Sequence, residues 1–437
     1  MAASISGREL VLEILLQITR DGEYSHIALK NVLDQYQYLD KKERAFITRV
    51  VDGTLERMIE IDYIINQFSK VKVNKMKPVI RTILRSAVYQ LKYMDSVPDS
   101  AICNEAVKLA AKRGFTNLKG FVNGVLRNIS RNLADVTYPS EEQSVYSLSV
   151  RYSIPEWILN QWLAVYDKAT VCAMAEEFLK EKLLTVRCNL EKIGKEELMQ
   201  MLEDEGVTVE EVPDLPYALY LSGFDYLAGL MSFRKGYYQV QDISSMQVAE
   251  WAAAKEGDYI IDVCAAPGGK AIHIAETLKG TGYVEARDLT DYKVGLILEN
   301  IIRSGLMNIE AVRQDATVMD EKSRGKADIV IADLPCSGLG VLGKKPDLKY
   351  KMTEKMQKEL VMLQRQILST VQAYVKPGGR LLYSTCTIHQ GENEENAKWF
   401  LGEYPQFELI EQKQMLPGRE PGDGFYIAMF KRRPQAE

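Results

Sequence analysis

The sequence predicts a chain of three domains: an all-α bundle, a small α+β module, and an α/β domain built on an open, mostly parallel sheet. Three observations predict this order. Apolar residues recur with helical spacing in the first third, they alternate with strand spacing between Leu184 and Leu221, and strands alternate with helices from Gly236 onward. With 437 residues, 46% of them hydrophobic, the chain can form several cores. We place the domains at residues 1–138, 139–235 and 236–437.

The composition excludes several classes of protein. Arg8, Glu9 and Glu13 interrupt the first apolar stretch, so we expect neither a signal peptide nor a membrane span, and a cytoplasmic location. Six cysteines are scattered without CxxC pairs beside only three histidines, so we expect no disulfide framework and no metal site. No heptad or exposed apolar stripe indicates a partner subunit, and we therefore expect a monomer.

The charge is unevenly distributed. The net charge of -5 argues against a nucleic-acid partner, but Met1 to Asp135 contains 21 Lys and Arg against 15 Asp and Glu, which is +6, and the remainder is -11. This asymmetry fits a basic RNA-docking domain attached to an acidic catalytic domain. Solvated helix faces would explain it equally well.

Short motifs in the helical region resemble a known RNA-binding fold. The residues between Lys42 and Phe68 and between Met76 and Ile129 have amphipathic helical spacing. Arg85–Leu91, Asn104–Val107 and Phe121–Leu126 resemble the matching helices of the NusB-type fold. The resemblance implies an N-terminal domain that binds RNA.

The middle region has the pattern of a small α+β (RRM-like) module. The predicted elements are a strand at Leu184–Leu190, a helix at Lys195–Gly206, and strands at Thr208–Val212 and Ala218–Leu221. Such modules often present a sheet to RNA, but the aromatic pattern that stacks bases is absent, so a spacer is an equal alternative.

Strands and helices alternate in the last region. The predicted strands are Tyr259–Val263, Gly282–Arg287, Ile309–Arg313, Ile329–Ala332, Arg380–Tyr383 and Phe425–Phe430. A sheet of this kind binds ligands at the carboxyl ends of its strands. The stretch Asp262-Val263-Cys264-Ala265-Ala266-Pro267-Gly268-Gly269-Lys270 lies at such an end, before a helix. Small residues let a ligand approach the backbone, and a helix N-terminus offers N–H groups to a carboxylate.

This loop matches neither GxGxxG nor a Walker A sequence, so the dinucleotide and nucleoside triphosphate interpretations lose their main support. It resembles the cofactor loop of RNA cytosine-C5 methyltransferases, which implies a Rossmann-like catalytic domain and S-adenosyl-L-methionine as cofactor. By this resemblance Cys264, Ala265, Ala266, Pro267, Gly268, Gly269 and Lys270 line the methionine side. Asp288 would hold the ribose hydroxyls, with Asp291 as a rival, and Asp315 would recognise the adenine amino group.

Two cysteine motifs each follow a predicted strand: Asp333-Leu334-Pro335-Cys336 and Ser384-Thr385-Cys386. Cytosine C5 is a poor nucleophile, and addition of a thiolate at C6 makes C5 able to accept a methyl group. The reaction also needs a proton or hydrogen-bond partner at N3 and a base for the C5 proton. The residues alone do not decide which thiol attacks.

The resemblance assigns the roles. RNA enzymes of the family use the Thr-Cys cysteine, which makes Cys386 the nucleophile, Cys336 the assistant in proton removal and product release, and Asp333 the N3 partner near the cofactor. With the NusB-like start, the chain resembles the Sun/Fmu (RsmB-type) methyltransferases of bacterial small-subunit (16S) ribosomal RNA. Leu334 and Gly343-Lys344-Lys345 depart from the usual residues, and the second departure puts an RNA contact in doubt.

Other functions stay open. An N-methyltransferase would share the sheet and the cofactor, but its typical (Asp/Asn)-Pro-Pro-(Tyr/Phe) motif is replaced here by Asp-Leu-Pro-Cys. A non-catalytic RNA-binding or ribosome-assembly factor would be favoured by loss of Cys386, Cys336 or Asp333, and all three are present. C5 methylation of another RNA, such as tRNA, is a further alternative.

Overall fold

The structure is a computed structural model that describes residues 5–36, 38–140, 144–181 and 183–434. It contains two compact units. The N-terminal unit comprises the described residues up to Lys180 together with Leu342–Lys351, and the C-terminal unit comprises the others. The domain boundaries predicted above stay a prediction. Among the described residues, no helix is both long and apolar enough to cross a lipid bilayer.

The N-terminal unit is helical, as the apolar periodicity predicts. Its first helix begins with a capping box, in which the Oγ of Ser6 accepts from the amide of Glu9 (3.4 Å) and the Ser6 amide donates to the Glu9 carboxylate (3.3 Å). The helices up to Lys180 are α1 (Gly7–Thr19), α2 (Ser25–Gln35), α3 (Lys41–Glu56), α4 (Met58–Phe68), α5 (Pro78–Tyr93), α6 (Asp99–Lys112), α7 (Lys119–Asn132), α8 (Val145–Tyr152), α9 (Glu156–Leu163) and α10 (Lys168–Phe178).

One apolar core joins α1 through α7. It buries residues of all three NusB-like motifs, including Val88 on α5, Ala106 on α6 and Leu126 on α7. These motifs therefore determine the packing of the bundle.

The segment Leu342–Lys351 follows the first cysteine motif in sequence and packs within the N-terminal unit. The carboxylate of Asp347 accepts from the hydroxyl (2.6 Å) and the amide (3.1 Å) of Ser25. The Nζ of Lys349, on the short helix α16 (Leu348–Lys351), donates to the carbonyl oxygen of Glu56 (2.8 Å). Lys349 is only 4% exposed, and this burial lowers its pKa to about 7 against the opposing attraction of Glu56.

The C-terminal unit begins with an antiparallel sheet of order β2-β3-β1-β4. Its elements are β1 (Leu184–Cys188), α11 (Lys195–Asp204), β2 (Thr208–Glu211), β3 (Ala218–Ser222), α12 (Met231–Arg234) and β4 (Tyr238–Val240). The predicted strands and helix of the module are present: β1, α11 and β2 end one or two residues earlier than predicted, and β3 ends one residue later. β4 lies beyond the predicted boundary at residue 235 and pairs with β1. Three residues are too few to show a strand periodicity, so the sequence did not reveal it.

The second sheet has the order β10-β11-β9-β8-β5-β6-β7. Its strands are β5 (Tyr259–Asp262), β6 (Tyr283–Asp288), β7 (Ile309–Arg313), β8 (Ala327–Asp333), β9 (Val375–Thr385), β10 (Phe407–Met415) and β11 (Phe425–Arg432). The helices of this region are α13 (Ile243–Ala252), α14 (Gly269–Thr277), α15 (Asp291–Ser304), α17 (Glu354–Val371) and α18 (Glu394–Glu403). The strands from β9 to β7 are parallel, and β11 and β10 are antiparallel.

All six predicted strands of this sheet are present, and β10 was not predicted. β10 pairs only with β11, at the edge of the sheet, and a bulge between Leu409 and Glu411 interrupts its register. Glu411, Gln412 and Lys413 form a run of exposed polar side chains, so no regular apolar alternation marks this strand. The carboxyl ends of β5, β6, β8 and β9 meet at the edge that holds the candidate site.

Replacing Lys349 with Met should change how stability depends on pH. A lysine whose pKa falls on folding binds fewer protons in the folded state, so between about pH 7 and about pH 10 its contribution makes the wild-type chain more stable as pH rises. Lys349→Met removes that slope, at most about 1.4 kcal/mol per pH unit, and should be the more stable form near pH 7.

Urea unfolding at several pH values checks this expectation. Only values above pH 7 are compared, because burial also raises the pKa of Asp52 to about 7, which gives a slope of opposite sign below that pH. A stability difference between the two proteins that does not vary from pH 7 to pH 10 would contradict the burial of a titrating ammonium.

Candidate active site

The loop after β5 is built for close approach to a ligand. Gly268 has φ +104°, a backbone conformation that residues with a Cβ rarely adopt, so the conformation of the loop favours glycine there. The amide of Ala265 donates to the carbonyl of Arg287 (2.8 Å), which ties the loop to β6. Helix α14 begins at Gly269, so its first amides lie at this edge of the sheet.

Asp262 ends β5 with its carboxylate fully buried. One oxygen accepts from the amide of Cys264 (3.3 Å), and the other has no hydrogen-bond partner among the residues that the structure describes. Burial, followed by the nearby charge of Asp333, raises the pKa of Asp262 to about 7. A buried acceptor without a donor is unfavourable and suits the positively charged amino group of an amino-acid ligand.

Asp288 ends the neighbouring strand β6 and is 3% exposed. Its carboxylate accepts from the amides of Ala266 (3.1 Å) and Leu289 (2.7 Å), and the Nζ of Lys293 lies 3.1 Å from it. The residue predicted to hold ribose hydroxyls therefore also holds the cofactor loop. Each carboxylate oxygen has two acceptor positions, so these contacts leave capacity for hydroxyl donors.

The two other predicted carboxylates differ in their surroundings. Asp291 begins α15 with its side chain 80% exposed and pairs with Arg313 (3.0 Å). Asp315 follows β7 and accepts from the hydroxyl (2.7 Å) and the amide (2.8 Å) of Thr317, which lower the pKa of Asp315. Asp315 is thus held ionised at the edge of the sheet. Asp291, by contrast, is exposed to solvent and already forms an ion pair with Arg313.

Lys270 and Asp333 form an ion pair at the centre of this edge. The Lys270 Nζ lies 2.7 Å from one oxygen of Asp333, and the hydroxyl of Ser384 donates to the other (2.7 Å). Burial alone would lower the pKa of Lys270, but Asp333, Asp262 and Cys386 together raise it. An ammonium ion therefore stays in place beside the second cysteine motif.

The two predicted catalytic cysteines meet. β8 and β9 are parallel neighbours in which Asp333 is aligned with Ser384, so the motifs that follow them leave the sheet side by side. The Sγ atoms of Cys336 and Cys386 are 3.2 Å apart. The neighbouring Cys386 thiol and burial hold the pKa of Cys336 well above its ordinary value, so Cys336 keeps its proton at neutral pH.

Two residues of the site received no role from the sequence. Glu392 and Asn393 lie in the segment after the second cysteine motif, are 0% exposed, and contact both cysteine turns. The only sign of their role in the sequence was that a carboxylate and an amide stand next to each other shortly after the second cysteine motif.

Cys264 lies in the loop after β5. Burial and then the charge of Asp262 raise the pKa of Cys264, so its thiol stays neutral.

Removing the Lys270 ammonium should make Cys386 less reactive as a nucleophile. In Lys270→Gln, negative charge on Cys386 loses its cationic neighbour, so alkylation by iodoacetamide at pH 7 should slow by roughly threefold to tenfold. Mass spectrometry assigns the alkylated cysteine. The control Lys293→Gln removes an ammonium that pairs with Asp288 and should leave the rate unchanged. Equal rates in both variants would mean that Lys270 does not stabilise the thiolate.

The sequence and structure match known proteins along nearly the whole chain. Family models match residues 6–131 (NusB family), 154–225 (ferredoxin-like domain of RsmF/B-like methyltransferases) and 249–431 (16S rRNA methyltransferase RsmB/F). A probable ribosomal RNA small subunit methyltransferase B of Bacillus subtilis (strain 168) is 35% identical over 98% of this chain and 99% of its own length. The ribosomal RNA small subunit methyltransferase B of Cronobacter sakazakii is 28% identical over 98% of this chain and 99% of its own.

Solved structures of other proteins are also similar to this chain. The crystal structure of PH0851 has a TM-score of 0.83 at 25% identity and covers 98% of this chain and 99% of its own. That of NSun6 from Pyrococcus horikoshii with SFG has a TM-score of 0.56 at 23% identity, over 64% of this chain and 98% of its own, and shares the fold. The resemblance predicted from the motifs is confirmed: the chain belongs to the RsmB/F family of 16S rRNA methyltransferases, RNA-modifying enzymes that use S-adenosylmethionine and here have a NusB-like N-terminal domain.

Proposed function

We propose that the chain methylates C5 of a cytosine in small-subunit (16S) ribosomal RNA through a covalent bond between Cys386 and C6 of the base. One observation supports this most strongly: two thiols lie 3.2 Å apart at the ends of parallel strands, beside the Lys270–Asp333 ion pair. Methylation of an exocyclic amine needs no thiol, whereas addition to C6 needs one as nucleophile and uses a second base.

The carboxyl ends of the strands fit the cofactor. Cys264 to Lys270 would line its methionine part, with the unpartnered oxygen of Asp262 as an acceptor for the amino group. Asp288 would accept from the ribose hydroxyls, in preference to the exposed Asp291, and Asp315 from the adenine amino group. Bound there, S-adenosylmethionine supplies an electrophilic methyl group.

Cys386 and the ion pair act first in this proposal. The Cys386 thiolate bonds to C6, and the C5=C6 electrons become available for the methyl group. Negative charge reaches the ring near N3, where Asp333 is the assigned partner. The Lys270 ammonium donates to Asp333 at 2.7 Å, and a proton of this ammonium can pass through Asp333 to N3 as the charge develops.

Cys336 acts second. Its pKa is high chiefly because it shares a proton with Cys386, so at first it is a hydrogen-bond donor that stabilises the attacking thiolate. When Cys386 becomes a thioether, the largest of the causes that raise the pKa of Cys336 disappears, while burial and the charge of Glu392 remain. Cys336 then releases its proton to water. The resulting thiolate accepts the proton from C5, and the electrons of the C5–H bond restore the C5=C6 bond as Cys386 leaves as a thiolate. The proton on N3 then returns to the Lys270–Asp333 pair.

The remaining assignments follow from the family. We propose that residues 1–138 dock ribosomal RNA, that 139–235 form the linker and module, and that 236–437 catalyse the reaction. The excess of positive charge in the first third supports the docking role. We further propose that the enzyme is cytoplasmic, because its substrate is ribosomal RNA, and that it is a monomer, because no heptad repeat or exposed apolar stripe in the sequence indicates a partner subunit.

Substitution of the two cysteines should give opposite results. Cys386→Ala should abolish methyl transfer and trap no RNA, because no thiolate adds to C6. Cys336→Ala should accumulate a covalent protein–RNA complex, because the C5 proton stays in place. Denaturing gels with labelled 16S RNA and S-adenosylmethionine distinguish them, with Cys103→Ala, a core cysteine, as control. A complex that persists in Cys386→Ala would reverse the two roles.

The substrate can be tested separately. Cells that lack this protein should lose 5-methylcytosine at a position of 16S ribosomal RNA, and the wild-type gene, but not Cys386→Ala, should restore it. Bisulfite sequencing of total RNA measures the modification in ribosomal RNA and tRNA together. If 5-methylcytosine is lost only from tRNA, the proposed substrate is rejected. If the Cys386→Ala gene restores 5-methylcytosine, the proposed nucleophile is rejected.

A further inference from the structure

The two catalytic turns are held by adjacent residues of one short segment. Glu392 ends the 3₁₀ turn Gln390–Glu392, and Asn393 directly precedes α18. Both side chains are 0% exposed. A buried polar pair is retained in a fold only if its hydrogen bonds are satisfied, so its partners show what it holds.

Glu392 holds the turn that contains Cys336. Its carboxylate accepts from the amide (2.9 Å) and the hydroxyl (2.5 Å) of Ser337, the residue after Cys336. It also accepts from the side chains of Gln364 (3.0 Å) and His389 (3.1 Å). Four donors converge on one carboxylate, an arrangement that an amide cannot reproduce because half of its polar end is a donor.

Asn393 holds the turn that contains Cys386. Its Oδ1 accepts from the hydroxyl of Thr385 (2.6 Å), and its Nδ2 donates to the carbonyl of Thr387 (3.0 Å). These threonines flank Cys386 on both sides. The Nδ2 also donates to the side chain of Gln414 (2.7 Å), which anchors Asn393 to β10.

The two turns also contact each other. The hydroxyls of Ser337 and Thr387 are 2.7 Å apart, so the residues that follow the two cysteines are hydrogen-bonded directly. Glu392 and Asn393 are joined by a peptide bond of fixed length. Their two sets of hydrogen bonds therefore restrict how far one cysteine turn can move from the other.

We propose that Glu392 and Asn393 are positioning residues that set the separation of the two thiols, with Glu392 placing Cys336 and Asn393 placing Cys386. The consequence for catalysis rests on the proposed function: Asn393 serves the attack on C6, and Glu392 serves removal of the C5 proton and release of the product. The separation of the thiols itself does not depend on that function.

The first test uses thiol chemistry alone. Diamide oxidises two adjacent thiols: each sulfur loses its proton, an Sγ–Sγ bond forms, and the N=N bond of diamide is reduced to a hydrazine. In the full-length wild-type chain, Cys336 and Cys386 should form a disulfide rapidly, as measured by mass spectrometry of peptides. Glu392→Gln and Asn393→Asp should slow this by at least about tenfold, since rates between positioned groups fall steeply when they are misplaced.

Control variants separate positioning from folding. Glu395→Gln makes the same chemical change at an exposed position of α18 and should form the disulfide at the wild-type rate. Ser337→Ala and Thr385→Val each remove one hydroxyl from the network with little change in volume, and should slow the disulfide less than the two main variants. Circular dichroism and melting temperature establish that each variant is folded. Wild-type disulfide rates in folded Glu392→Gln and Asn393→Asp would overturn the proposal.

The second test measures the two chemical steps. With labelled 16S RNA and S-adenosylmethionine, Glu392→Gln and Ser337→Ala should form the covalent complex and release product slowly, whereas Asn393→Asp and Thr385→Val should form the complex slowly. Equal loss of both steps in all four variants would show a merely structural role. A third outcome would separate the two proposals. If the disulfide forms more slowly in Glu392→Gln and Asn393→Asp but even Cys336→Ala traps no RNA, the positioning role is retained and the proposed function is rejected.

Discussion

The parallel pairing of β8 and β9 is the constraint on which the site depends. The two cysteine motifs are far apart in sequence, and each begins in the last residues of its strand, with the cysteine beyond the strand end. Because Asp333 is aligned with Ser384, both motifs leave the sheet at the same height, and their thiols meet at 3.2 Å. A register shift by one residue would reverse the faces of one strand and separate the pair. The ion pair of Lys270 with Asp333 and the hydrogen bond from Ser384 use the same alignment.

Charge is concentrated where the strands end. Asp262, Asp288 and Asp333 lie at the ends of β5, β6 and β8, and burial of carboxylates is unfavourable unless donors surround them. Asp288 has backbone amides and a lysine as donors, and Asp333 has Lys270. Within the described part of the chain, Asp262 has one amide as donor, and its second oxygen has none. A buried carboxylate oxygen that lacks a hydrogen-bond donor is expected where a charged cofactor contributes that donor. The same edge keeps an ammonium beside Cys386, which favours its thiolate.

Individual residues show how far prediction from sequence extends. The strands around Asp262, Asp333 and Cys386 were predicted correctly because buried parallel strands are continuous apolar runs followed by small or polar residues. β10 was missed because an exposed edge strand is not a continuous apolar run and so does not stand out from the polar residues around it. The packing of Leu342–Lys351 within the N-terminal unit was also not predicted, since its contacts are with residues 197 to 328 positions earlier in the chain.

The sequence by itself determined the family, the order of the domains and the chemical groups at the site, because each is encoded by local patterns: helical or strand periodicity, the glycine-rich loop and the two cysteine motifs. Only the tertiary structure decided which groups touch. The separation of Cys336 and Cys386, the pairing of Lys270 with Asp333, and the contacts of Glu392 and Asn393 arise from strand register and burial. These depend on residues distant in the chain, and no short pattern records them.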